Sequence, residues 1–184
     1  EQEKLKTYLT WEKSLFISGS EIGWDLGRTG TSTAADLDFY NNYLGASYVA
    51  DAPMGSSSTY YNISQEFSSF IGDFGSFNYD DGTHGSYNTE WPDAIKPNNS
   101  KLLFSFTGVD AAVNGGAGVY IESPYKLVHL SFPFETVYPK SFRDSLFSYM
   151  FEWLILHGDV NDENSVPTKF ELSQNYPNPF NPNT

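Results

Sequence analysis

The sequence predicts an α/β domain over residues 1–158, a three-layer sheet with helices on its faces. Three observations predict it. Short apolar runs alternate with helical patterns along the chain. An early apolar run, Ser14-Leu-Phe-Ile-Ser18, feeds directly into the glycine-bounded turn Gly19-Ser-Glu-Ile-Gly23. A long amphipathic pattern from Ser141 closes the domain. With 39% hydrophobic and 17% aromatic residues, the 184-residue chain can bury one core.

Each element has its own reason. Residues 1–12 place Leu5, Tyr8, Leu9 and Trp11 on a partial apolar stripe, which reads as a helix. Ser14–Ser18 suits a strand buried on both faces, and Trp24-Asp-Leu26 follows its turn. Thr33 with Asp36 three residues later forms a capping box that opens a helix to Leu44, and Gly45 ends it. Ala46–Ala50 is the next strand. Residues 52–100 are rich in Gly, Ser, Asn, Asp and aromatics with little periodicity, so they read as a long irregular insertion. Lys101–Phe106 returns to strand pattern. Gly118–Glu122 and Lys126–Phe132 read as two strands joined by a Ser-Pro-Tyr turn. Ser141 caps the last helix, with Phe142, Leu146, Met150, Trp153 and Leu154 on one face and Gly158 at its end. An acidic linker at 159–166 leads to a separate tail, 167–184.

Composition narrows the function classes. A formal net charge of −13 excludes the clustered cations that nucleic acid requires and disfavours anionic membranes. The absence of cysteine removes disulfides, thiolate metal sites and cysteine nucleophiles. No run of 18 or more apolar residues exists, so no helical membrane span is expected.

A strand, a sharp Gly-x-x-x-Gly turn and a helix make the layout of a nucleophile elbow, where close backbone approach demands glycine. Gly19 and Gly23 resemble that turn in the class I glutamine amidotransferase-like family, whose fold is a flavodoxin-like sheet. In that family a cysteine stands where this chain has Glu21. A second landmark, Phe-His-Pro-Glu before the last helix, is matched by Leu130-Ser-Phe-Pro-Phe-Glu135 at Phe132 and Glu135, with Pro133 in the place of the base histidine. The resemblance covers about residues 1–158, leaves 52–100 unexplained, and implies that strands preceding Glu1 belong to the same domain. Glu21 cannot form a thioester and Pro133 cannot accept a proton, so glutaminase activity is excluded.

The chemistry left is a pair of carboxylates, Glu21 and Glu135, which that fold brings to one sheet edge. A desolvated pair serves as acid and base in glycoside hydrolysis; alternatively both side chains hold their turns by accepting backbone amides. With Asp25 they form an oxygen-only set suited to Ca²⁺, the one cofactor the sequence suggests. Ser20, Trp24, Asp25 and Trp91 are the candidate binding residues. The segment Asp73–Gly82 also carries oxygen ligands among glycines, without the EF-hand spacing. His84, His129 and His157 lack metal-ligand spacing, and His129 reads as a structural residue within a strand. The loop aromatics Tyr60, Tyr61, Phe67, Phe70, Phe74, Phe77, Tyr79, Tyr87 and Trp91 suit either sugar stacking or a satellite core.

In the tail, Gln174-Asn-Tyr-Pro-Asn-Pro-Phe-Asn-Pro182, with Leu172, Tyr176 and Phe180, resembles the opening of a type IX secretion C-terminal sorting domain. That resemblance implies export through a periplasm to the cell surface or beyond, with the secretion machinery as a partner. Together these features lead to a non-catalytic binding or assembly module of an exported multidomain bacterial protein, with an extracellular glycan or protein as partner. The alternatives are a carboxylate-dependent glycan hydrolase and a structural surface-assembly subunit.

Overall fold

The computed structural model describes residues 1–55, 60–66 and 70–156. Phe67, His157, Gly158, the acidic linker and the sorting-type tail lie outside the described residues. The chain opens with α1 (Gln2–Thr10), β1 (Leu15–Ser18), α2 (Ile22–Leu26) and α3 (Ala34–Asp38), which continues as a π-helical turn, Phe39–Tyr43. The strands β2 (Ala46–Asp51), β3 (Asn62–Gln65), β4 (Ser76–Tyr79), β5 (Asp93–Pro97) and β6 (Lys101–Phe106) follow. Then come α4 (Ala111–Asn114), β7 (Gly118–Ile121), β8 (Leu127–Leu130), β9 (Val137–Tyr138) and α5 (Lys140–Leu156).

Seven strands form one mixed sheet in the order β1-β8-β7-β6-β3-β4-β9, and β2 pairs with β5 in a separate two-stranded ribbon. In the large sheet, β1 runs parallel to β8 while the remaining pairings are antiparallel. The expected flavodoxin-like, amidotransferase-like three-layer architecture is therefore wrong. A parallel neighbour needs a crossover of a dozen or more residues, usually a helix. Here β6 and β7 are linked through the four-residue α4, and β7 and β8 through the turn at 122–126. Links this short return the chain antiparallel.

Residues 52–100 are also not an insertion. They supply β3 and β4, which lie between β6 and β9, and β5, which pairs with β2. Ile63, Phe77 and Tyr79 are core residues, and Tyr60, Tyr61, Phe70 and Phe74 pack against them. Among the described residues the loop aromatics thus belong to the main core, except Tyr87 and Trp91, which stay exposed.

Strand alternation builds a core on each face of the sheet. Phe16, Tyr120, Val128 and Leu130 face one cluster, closed by Leu146, Met150, Trp153 and Leu154 of α5. Leu15, Ile17, Val119, Ile121 and Leu127 face the other, closed by Leu9 of α1 and by Phe39, Tyr40 and Leu44. The Thr33 capping box forms as expected: the Thr33 hydroxyl accepts the Asp36 amide, and the Asp36 carboxylate accepts the Thr33 amide. Among the described residues no helix is long and apolar enough to cross a membrane.

Candidate functional site

The Gly19–Gly23 turn does lead from a strand into a helix, but β1 is the edge strand of its sheet and α2 has five residues. The local bend expected from the sequence exists; its central position in a parallel sheet does not. Glu21 occupies the N-cap position of α2 and makes no capping bond. Asp93 caps the helix from β5 instead. Its Oδ2 accepts the Gly23 amide at 2.6 Å and its Oδ1 the Trp24 amide at 3.2 Å. The Asp93 amide in turn donates to the Ser20 carbonyl at 3.1 Å. With its capping duty taken over, the exposed Glu21 lines a cleft instead.

The opposite wall is the turn after β8. Pro133 leads into a 3₁₀ turn, Phe134–Thr136, that holds Glu135 exposed. The Tyr87 hydroxyl donates to Glu135 Oε1 at 2.5 Å, and the Arg143 guanidinium donates to the Glu135 carbonyl. The Phe134 amide donates to Ser18 Oγ at 3.5 Å, tying the two walls together. The cleft holds about 280 Å³ and is lined by residues 18–22, Asp25, Tyr87, Pro133 and Glu135. The structure thus brings Glu21, Glu135, Asp25 and Ser20 to one place. Trp24 and Trp91 are not among its lining residues. Arg28 lies 3.4 Å over the Trp24 ring, and Tyr48 meets that ring edge-on.

The charge in the cleft is one-sided. Among the described residues, the ion pairs involve neither Glu21, Asp25 nor Glu135. Burial raises the Glu21 carboxyl above the usual carboxylate range, and the charges of Asp51 and Asp25 add to this. Burial pushes the Tyr87 hydroxyl up to about 12, helped by its hydrogen bond to Glu135.

Sequence reasoning missed the residues behind α2. Asp51 and Asp93 stand directly opposite each other on β2 and β5. The Tyr40 hydroxyl and Asp51 Oδ1 are buried there without hydrogen-bond partners. No local pattern announces this pair, because Asp51 precedes and Asp93 lies within the segment that reads as irregular.

The other candidates have structural posts. His129 is sealed in the core, with Nδ1 at 3.2 Å from the Leu44 carbonyl, and burial lowers it to about 4. Asp73 Oδ1 accepts the Gly75 amide, closing the turn before β4. Asp80 anchors the next loop by accepting the amides of Gly82, His84 and Ser86 at 2.7–2.9 Å. Asp80, Asp81 and His84 have ligand atoms within 4.8 Å of one another, and Asp80 already spends both oxygens on those amides.

No family model matches the chain, and no curated protein matches it. Among solved structures, the chain is similar to the β-galactosidase from Rahnella sp. R3, at TM-score 0.51 and 10% identity over 82% of this chain. A β-galactosidase from Bacillus circulans sp. alkalophilus gives TM-score 0.48 and 13% identity over the same share. The chain spans 20% of the length of each. At these identities the Rahnella likeness concerns the fold alone.

Proposed function

We propose that this chain is a non-catalytic binding module of a larger exported protein, and that its ligand is a neutral extracellular glycan held in the Glu21–Glu135 cleft. One observation carries the reading: three carboxylates, two serines and a tyrosine hydroxyl converge on a shallow groove without a thiol or an imidazole. Carboxylates with open lone pairs are strong acceptors for sugar hydroxyls. The same charges repel uronic and sulfated sugars, which argues for a neutral class. The fold shared with a β-galactosidase adds support for a carbohydrate context. The tail at 167–184 supports the extracellular location, through its resemblance to a type IX secretion sorting sequence.

Titration calorimetry against a panel of neutral and acidic oligosaccharides tests this. The expected outcome is saturable binding of a neutral member, weakened roughly tenfold or more in the double variant Glu21→Gln/Glu135→Gln with an unchanged melting temperature, the loss of two charged acceptors. Binding confined to acidic sugars, or to none, refutes it.

A second reading has its own support, because partial desolvation and the charges of Asp51 and Asp25 raise the Glu21 carboxyl while Glu135 faces it from the other wall. That arrangement suits a hydrolase acid with a partnering carboxylate. Turnover of a glycan that vanishes in either single Gln variant would select this reading over simple binding.

A further inference from the structure

Behind the cleft lies an arrangement that neither wall explains. Residues opposite each other in an antiparallel pair hold their Cβ atoms about 4.5–5.5 Å apart on one face, and like charges there are destabilising. Asp51 and Asp93 occupy such a position. Asp93 is fully buried, and among the described residues neither aspartate has a cation within ion-pair range. The Tyr40 side chain is also fully buried, and its hydroxyl has no hydrogen-bond partner. A methyl group on Gly23 would meet that hydroxyl at 2.5 Å and Asp93 Oδ2 at 3.0 Å, so both groups crowd the same backbone position.

Asp51 is half-buried with its Oδ1 sealed from solvent, and two facing carboxylates, one of them fully buried, are relieved by a cation or by a proton. The cation is the poorer fit. Asp93 already gives both oxygens to backbone amides, whereas a hard divalent ion asks for six or more oxygen ligands. Among the described residues the ligand-bearing groups that converge within 4.8 Å are Asp80, Asp81 and His84, not these.

We propose that Asp51 and Asp93 share a single proton and together form a latch that fixes α2, and with it Glu21 and Asp25, against the cleft. Charge on both aspartates would set them repelling across the ribbon, and Asp93 would then pull away from the two amides it caps. Of the groups facing the pair, Glu21 approaches from the turn, and its charge opposes a second negative charge on Asp93. The neutral hydroxyls of Tyr48, from β2, and Tyr40, from the π-helical turn, bring no positive charge, and Arg28, beyond α2, is the one cation whose charge reaches Asp51. Burial raises the Asp93 carboxyl to about 8 even against the Gly23 and Trp24 amides, with Glu21 and Asp51 adding to the rise. A group whose folded value is raised favours the fold fully below its unfolded value, near 4. That contribution is lost as pH climbs toward 8, so the latch opens in alkali.

Carboxyl ¹³C NMR of the aspartate-labelled full chain from pH 4 to 10 tests this. In the wild type one aspartate resonance titrates above pH 6, the denaturation midpoint falls across the same window, and the Gly23 and Trp24 amides lose exchange protection. Asp93→Asn risks misfolding because it breaks the cap, so Asp51→Asn is the working variant. It moves the high transition down by more than about one pH unit and makes the protein more stable than wild type at pH 9. Titration of every aspartate below pH 5, or an unchanged transition in Asp51→Asn, overturns the proposal. So does saturable stabilisation by Ca²⁺ that Asp51→Asn abolishes. The coupling to the cleft rests on the binding reading and is tested separately. Sugar binding should weaken between pH 6 and 9 in the wild type and much less in Asp51→Asn. If no sugar binds at any pH while the pair titrates high, the latch stands and the binding reading falls. If binding ignores a pair that does titrate, the coupling is overturned.

Discussion

Asp80 and Asp93 are buried almost equally, at 1% and 0% exposure, yet their carboxyls shift in opposite directions. For both, the largest influence is desolvation, which favours the neutral acid. At Asp80 the amides of His84, Ser86, Gly82 and Thr83 outweigh it and hold the group below the usual carboxylate range. At Asp93 two amides do not offset the desolvation, Glu21 and Asp51 add to it, and the acid form wins. A buried aspartate is therefore not one kind of residue. The depth of desolvation, the number of aimed N–H groups and the sign of the neighbouring charge together decide whether it is a fixed anion or a proton store.

The comparison can be broken most severely at Gly23. Gly23→Ala drives a methyl group into Tyr40, Tyr48 and Asp93 at 2.5–3.0 Å. It should cost about 3 kcal/mol in chemical denaturation, at the upper end for overpacking. Next comes a third buried titratable group. His129 has its folded value lowered to about 4; a base lowered this way stabilises fully above pH 6.5, and that stability is lost as pH falls toward 4. The loss is about 3 kcal/mol. Because the Asp93 contribution grows over the same interval, the measurement is the difference between wild type and His129→Gln from pH 4 to 7. A smaller effect is expected at Asp80. Asp80→Asn turns an amide donor toward the loop N–H groups and should lower the thermal midpoint by several degrees, without adding a pH slope between 5 and 9. A slope there would mean that Asp80 also stores a proton. The smallest change belongs to Glu135→Gln, at the exposed Tyr87 bond: stability within about 0.5 kcal/mol of wild type, with the Tyr87 hydroxyl titrating lower by ultraviolet absorbance.

Most local elements were legible in the sequence. The Thr33–Asp36 box, the strand before Gly19, the strands around Phe104, Tyr120 and Val128, and the closing helix all rest on near-neighbour patterns, and all form. Their assembly was not legible, because a strand of four apolar residues reads the same in a parallel and an antiparallel sheet. Three further strands hid in residues 52–100, where Asn62–Gln65 and Ser76–Tyr79 offer one or two buried side chains each among polar ones. Half of the candidate site was visible: Glu21 and Glu135 do line one cleft, although the fold that suggested it is not the fold that forms. Tyr87 was legible as a sugar-stacking candidate, but its bond to Glu135 was not, and Asp51 and Asp93 were invisible. Each acts on a partner tens of residues away, and nothing local marks that distance.

The parallel seam between β1 and β8 has a consequence for how the molecule is made. Leu15–Ser18 find their partners at Leu127–Leu130, so a ribosome must deliver most of the domain before the first strand has anywhere to go. Closing so long a loop is slow. The groove between Ser20 and Glu135 is therefore among the last things to exist, and a ligand held there would recognise finished molecules only.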